Sequence, residues 1–143
     1  MLSLIAIGGS EARAFQVAGG NGTLILTIRL PKNYEFIPKA PFSIEISSAN
    51  PEVISFTAPA PGNFNPQAGC TKIPFTAHSG TVLVTIKTKL FYCDKVSKLC
   101  RQDTHETLLA FESASKGSPT VFYYWDIIPK MDPQTDRGKL KTR

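Results

Sequence analysis

The sequence predicts an all-β sandwich of about seven to nine short strands. Three observations carry this. Apolar residues recur at every second position in several segments, from Thr23 to Leu30 and from Thr81 to Tyr92. Eleven prolines and ten glycines cut the 143-residue chain into short pieces, with a turn signal every ten or so residues. Nowhere do apolar residues hold a 3.6-residue period long enough for a helix.

The length suits one domain with a core of its own, placed at residues 1–128. Apolar residues make up 42% and charged residues 19% of the chain, so neither a disordered nor a fibrous class is suggested. No stretch approaches the roughly 18–20 apolar residues of a membrane span. The opening Met1–Ile7 is apolar but lacks a basic leader and meets Gly8-Gly9 too early for a secretory signal. It reads as a first strand or, preferably, as the point where a longer protein was cut. Residues 129–143 carry Lys130, Arg137, Lys139, Lys141 and Arg143 against Asp132 and Asp136. This basic tail has no interleaved aromatics, reads as a solvated, disordered end, and implies no nucleic-acid or membrane partner.

Taken in order, Ala12–Val17 alternates as a half-buried strand, and Ala18-Gly-Gly-Asn-Gly22 supplies a turn. Thr23–Leu30 sets Leu24, Leu26, Ile28 and Leu30 on one face and Ile25 on the other, the mark of a central strand. Pro31, Pro38 and Pro41 make the stretch with Tyr34 and Phe36 a loop. Strands follow at Phe42–Ile46 and, weakly, at Val53–Thr57. Ala58–Gly69 is an extended connection too rich in proline to pair centrally, and Cys70–Phe75 reads as an edge strand. Ser113–Ser118 is a turn before a last strand, Thr120–Ile128, rich in β-branched and aromatic residues.

The stretch from Thr81 to Phe111 is the most informative. It reads as a hairpin with Val82 opposite Phe111, Val84 opposite Leu109 and Ile86 opposite Thr107 on an apolar side. Lys87 then meets Glu106, Lys89 meets Thr104, Phe91 meets Gln102 and Cys93 meets Cys100 on the polar side. Directly opposed cysteines would bring their Cα atoms to about 4.5–5.5 Å, within reach of a disulfide. Lys87, Lys89, Lys95, Lys98 and Arg101 surround the pair, against Asp94, Asp103 and Glu106, and such a positive, exposed setting favours thiolate and exchange. Two readings stay open from the residues alone: a passive staple or pair of reduced thiols, and an exchanging dithiol/disulfide pair. A zinc site built from Cys93, Cys100, His105 and Cys70 matches no standard spacing. His105, opposite Thr88, reads as a core or edge histidine, His78 lies in a turn, and Cys70 reads as a lone thiol. No nucleophile elbow, phosphate loop or paired carboxylates appear, so no cofactor or metal is expected and no independent active site emerges.

Leu30-Pro-Lys-Asn-Tyr34, the proline-flanked loop, the long strand ending Phe91-Tyr-Cys93, and Leu99-Cys100 together resemble the C-terminal β-stranded domain of the NHL-repeat-containing protein 2 family. In that family a thioredoxin-like domain and an NHL β-propeller precede this domain. The Tyr-Cys…Cys hairpin is similar to that of the N-terminal immunoglobulin-like domain of the thiol:disulfide interchange reductase. The resemblance spans about Thr23–Phe111, with six residues between the cysteines where it implies five. It implies an immunoglobulin-like antiparallel sandwich, an accessory domain whose partner is a thioredoxin-like domain or β-propeller, in the same chain or in trans. It also implies that Cys93 and Cys100 are the exchanging pair, shielded by Phe91 and Tyr92. With Phe91 and Tyr92, the basic Lys95, Lys98 and Arg101 beside the pair are the expected binding residues. The compartment is left undefined.

Overall fold

The computed structural model describes residues 2–7, 10–57 and 64–129. The basic tail from Lys130 onward lies outside the described residues. Ten strands are named in it: β1 (Leu2–Ile7), β2 (Ser10–Val17), β3 (Gly20–Arg29), β4 (Tyr34–Phe36), β5 (Ser43–Ser48), β6 (Ile54–Phe56), β7 (Cys70–Ala77), β8 (Thr81–Asp94), β9 (Cys100–Ser113) and β10 (Thr120–Asp126). One sheet runs β1-β2-β9-β8-β4, with β5 also on β8, and the other runs β10-β3-β7-β6. The two pack face to face, so the chain is an all-β sandwich. No α-helix occurs among the described residues, and no helix there is long and apolar enough to cross a membrane.

The sheets are mixed rather than wholly antiparallel. β2 runs parallel to β9, pairing Ala14 with Ala110 through Val17 with Ser113, and β10 runs parallel to β3 along its whole length. One event explains both pairings. Two of the chain's crossings from the first sheet to the second, after Val17 and after Ser113, travel side by side. Ala18 N–H donates to Ser118 C=O, Ser118 N–H to Gln16 C=O and Ala114 N–H to Val17 C=O. Gly117 makes this possible, since a Cβ there would stand 2.3 Å from the Val17 carbonyl carbon.

The core follows from strand alternation. Leu24, Leu26 and Ile28 of β3, Ile73 and Phe75 of β7, and Val82, Val84, Ile86 and Leu90 of β8 are all buried. Phe56, Phe75 and Phe111 meet across the sheets with ring centroids 5.6–6.4 Å apart. As expected, β3 is central, lying between β10 and β7.

Four local expectations are corrected. The glycine-rich turn is shorter than its composition suggests: β3 already starts at Gly20, and Gly22 is a strand residue with the Phe75 ring over it, 2.4 Å from where a Cβ would sit. Tyr34–Phe36 is a short strand, because its three residues pair with Asp94, Cys93 and Tyr92 at the end of β8. The segment at Cys70 lies between β3 and β6, although β6 flanks only Phe75–Ala77. Pro74 is tolerated there because its C=O, and hence its missing N–H, faces the side where pairing with β6 has ended and Thr57 N–H closes the strand. Finally, the connection expected to be extended through Gly69 contains a 3₁₀ turn at Pro66–Ala68, capped by the Asn65 side chain on Gln67 N–H. Residues 58–63 of that connection are not among those described.

Candidate site: the cystine at the β8–β9 tip

β8 and β9 pair over thirteen positions in the expected register, Lys87 with Glu106 and Cys93 with Cys100 included. The register is marked because β8 up to Tyr92, and β9 from Thr104 onward, keep Lys87, Lys89 and Glu106 on the face opposite the core. Even positions of β8 from Val82 to Tyr92 point into the core, and Lys87, Lys89, Phe91 and Cys93 point out. Sliding by one residue would bury the lysines.

Cys93 and Cys100 are joined by a disulfide, with a Cα–Cα distance of 3.8 Å. This is closer than the separation expected from the sequence. Asp94 N–H donates to Leu99 C=O, so Cys93 and Cys100 occupy the neighbouring non-hydrogen-bonded position, where opposed Cα atoms approach most closely. The six-residue loop is organised by Asp94. Its carboxylate accepts from Val96 N–H at 2.8 Å and Ser97 N–H at 3.4 Å, and its C=O accepts from Lys98 N–H. Those donors, the Val96 N–H foremost, hold its pKa below the ordinary carboxylate value. Lys98 closes the turn in the left-handed region at φ 65°.

The two sulfur-bearing residues differ in exposure. Cys93 is half-buried because β4 covers its flank, with Glu35 directly opposite. Cys100 is exposed because β2 pairs with β9 only at Ala110–Ser113 and leaves the beginning of β9 uncovered. Beside them, Val96 is 76% and Leu99 62% exposed, and Lys95 and Lys98 are exposed too. The tip is therefore an apolar knob with basic flanks.

The expected site residues divide. Phe91 shares the outward face with Cys93, and its ring packs edge-on against Phe42 at 5.9 Å, with Phe36 beyond it. Tyr92 does not shield the disulfide. Alternation sends it to the opposite face, where it is fully buried, lies edge-on to Tyr34 and donates to Asp103 Oδ2. Arg101, opposite Tyr92 in the ladder, is also on the inward side, near enough to Asp94 to help lower its pKa. Sequence reasoning missed Glu35, whose strand read as a loop, and Val96 and Leu99, although two bulky apolar residues in a polar loop were a usable signal.

The four residues of the zinc reading are not brought together. The sulfurs of Cys93 and Cys100 are bonded to each other, His105 is buried on the inward face with Nε2 3.6 Å from Asp103 Oδ2, and Cys70 begins a strand of the other sheet. Among the described residues no group of three or more histidine, cysteine or acidic side chains is placed to hold a metal ion. Compared with known protein families, the sequence matches no family model, and compared with curated proteins it finds no match.

Proposed function

We propose that this chain is an accessory β-sandwich domain of the thioredoxin-like/NHL-repeat type, immunoglobulin-like in character, whose Cys93–Cys100 disulfide exchanges with a dithiol on a thioredoxin-like partner. One observation carries the reading: the disulfide stands at an exposed tip with Cys100 presented and apolar Val96 and Leu99 beside it. A staple is least needed there, because the β8–β9 ladder already fixes the hairpin at thirteen positions. The resemblance of the Tyr-Cys…Cys hairpin supplies the class of partner.

The step is ordinary thiol–disulfide exchange. A partner thiolate attacks Sγ of Cys100, the more exposed of the two cysteines, forming a mixed disulfide as the Cys93–Cys100 bond breaks and Cys93 leaves as thiolate. The partner's second thiolate then attacks its own sulfur in the mixed disulfide and releases Cys100. Two electrons pass to this domain, Cys93 and Cys100 each take up a proton, and the partner is left as a disulfide. Lys95 and Lys98 favour the thiolates that form.

The test is incubation of the oxidised chain with a thioredoxin-like protein that keeps only its attacking cysteine. A covalent adduct mapping to Cys100 is expected. An adduct on Cys93, or none, overturns the assignment. A reduction potential below about −300 mV would independently mark the bond as structural.

A second reading is a structural or interaction domain in which the cystine is a passive staple. Glu35 favours it, since a carboxylate opposite Cys93 opposes the thiolate that must leave. On this reading the adduct fails to form and the potential falls below that limit.

A further inference from the structure

Half of the large apolar side chains exposed among the described residues lie on one edge strand or just past it. Phe122 is 56%, Tyr124 54% and Ile128 82% exposed, at alternate positions of β10 and its continuation. They share the outer face of the second sheet with Ile25 and Thr27, which pair with Phe122 and Tyr124.

The strand edge is open as well as its face. At one end of the β3–β10 ladder Thr23 N–H donates to Pro119 C=O, and at the other Ile127 N–H donates to Arg29 C=O, both at 2.8 Å. In a parallel ladder alternate residues make the bonds, so odd positions from 119 to 127 face β3. The backbone groups of Phe122, Tyr124 and Asp126 then face away from β3. Thr120 is closed off by the Ser118 hydroxyl, which bonds both its N–H and its C=O. Among the described residues no strand pairs with this side of β10. An unpaired edge carrying aromatics is a template for another strand.

We infer that β10 is a homodimer interface, pairing antiparallel with β10 of a second copy to join two four-stranded sheets into one. A two-fold axis beside Trp125 sets Phe122 against Ile128 of the second copy, and Tyr124 against Asp126 of the second copy. Both pairs then occur twice. This register covers all three exposed apolar residues. Sliding it by one pair one way places Phe122 against the carboxylate of Asp126 and Ile128 against the closed-off Thr120. Sliding it the other way sets Asp126 against Asp126 and leaves Phe122 with no partner among the described residues. Charge fits the same register. Arg29 bonds its own Asp126 through Nε at 2.7 Å and a terminal nitrogen at 3.0 Å, and its guanidinium lies 4.9 Å over the Tyr124 ring. Asp126 of the second copy, arriving at Tyr124, meets that guanidinium, so two arginines and two aspartates alternate around the axis.

The test is sedimentation velocity of the full chain across a concentration series, in a Cys70→Ser background that removes the free exposed thiol. A dimer that dissociates on dilution is expected, and a monomer throughout overturns the proposal. Tyr124→Pro deletes one outward N–H and none that bonds β3, so it weakens dimerisation about tenfold or more while leaving far-UV circular dichroism unchanged. Should that variant fail to fold, Ile128→Asp, a change at a side chain that the core does not use, must weaken the dimer likewise. Dimerisation undiminished in the folded variants overturns the interface. Phe122→Cys and Ile128→Cys proteins, each uncrosslinked alone on oxidation, form a covalent dimer when mixed. Absence of that product overturns the register.

Discussion

Tyr92 donates its phenolic hydrogen to Asp103 diagonally across the β8–β9 ladder, inside the sandwich. The tyrosine is fully buried, the Asp103 side chain is 12% exposed, and His105 Nε2 stands 3.6 Å from the same carboxylate oxygen. The inward series of β8 from Val82 to Leu90, apolar but for Thr88, thus ends in a polar cluster at the pair next to the cystine. Replacing Tyr92 by Phe keeps the ring against Tyr34 and removes one donor from a part-buried carboxylate. A loss of about 1–3 kcal/mol is expected, read from urea unfolding with an unchanged m-value. An unshifted midpoint would show that the bond contributes nothing.

Lys98 sits at φ 65°, a conformation that the Cβ of an L-residue resists and glycine adopts freely. Its side chain is exposed, so nothing but backbone preference is at stake in Lys98→Gly. The variant should be stabilised by about 0.5–1 kcal/mol, less whatever glycine loses through a freer unfolded chain. Thermal unfolding at matched pH measures it, and a lower Tm would mean that the lysine makes a contact outweighing its strain.

The hairpin was legible in the sequence because Val82, Val84, Ile86, Leu109 and Phe111 share one face, so that only one register leaves Lys87, Lys89 and Glu106 in water. The central position of β3 was legible from Ile25 for a similar reason. What could not be read rests on contacts between distant segments. Tyr34–Phe36 becomes a strand only because β8 extends to meet it. Gly22 looks like a turn residue until Phe75 is placed over it. The parallel crossings depend on Gly117 meeting Val17, a hundred residues away by chain. At the cystine, the pair and its lysines could be listed from the sequence, whereas the faces taken by Tyr92 and Arg101 required the alternation to be followed to the strand end.

Asp94 gives the tip a dependence on pH. Its carboxylate accepts from Val96 N–H and Ser97 N–H, which lowers its pKa in the folded chain. A group with a depressed folded pKa stabilises above its unfolded value, about 3.9 for aspartate, and that stabilisation is lost as pH falls through the folded value. Amide exchange at Val96 and Ser97 should therefore lose protection on acidification below about pH 4, beyond the intrinsic rate change. In Asp94→Asn, whose amide oxygen keeps the turn without titrating, protection should stay constant across the same range. Equal behaviour of the two proteins would remove Asp94 as the cause.

Gly117 has the closest approach of the described glycines. A Cβ there would meet the Val17 carbonyl carbon, oxygen and nitrogen at 2.3, 2.4 and 2.7 Å, all backbone atoms that no rotamer change can move. Gly117→Ala must separate the two crossings, and with them the bonds from Ala18 to Ser118 and from Ser118 to Gln16. A destabilisation of about 1–3 kcal/mol or more is expected. Gly19→Ala, where the nearest atoms stand at 3.9 Å, serves as the control and should cost much less. Similar losses at both positions would point to chain entropy rather than to the close approach.

The cystine itself closes a short loop, with seven positions of separation between Cys93 and Cys100. In the chain-entropy picture such a loop restrains the unfolded chain by about 2–3 kcal/mol. The paired variant Cys93→Ser with Cys100→Ser should lose no more than that, and should keep its near-UV spectrum, because the ladder from Thr81 to Tyr92 holds without the bond. Backbone protection should decline only near the tip, from Phe91 to Gln102. Global unfolding of the double variant would mean that the cystine organises the sandwich, which would leave its opening by a partner thiol incompatible with a folded domain.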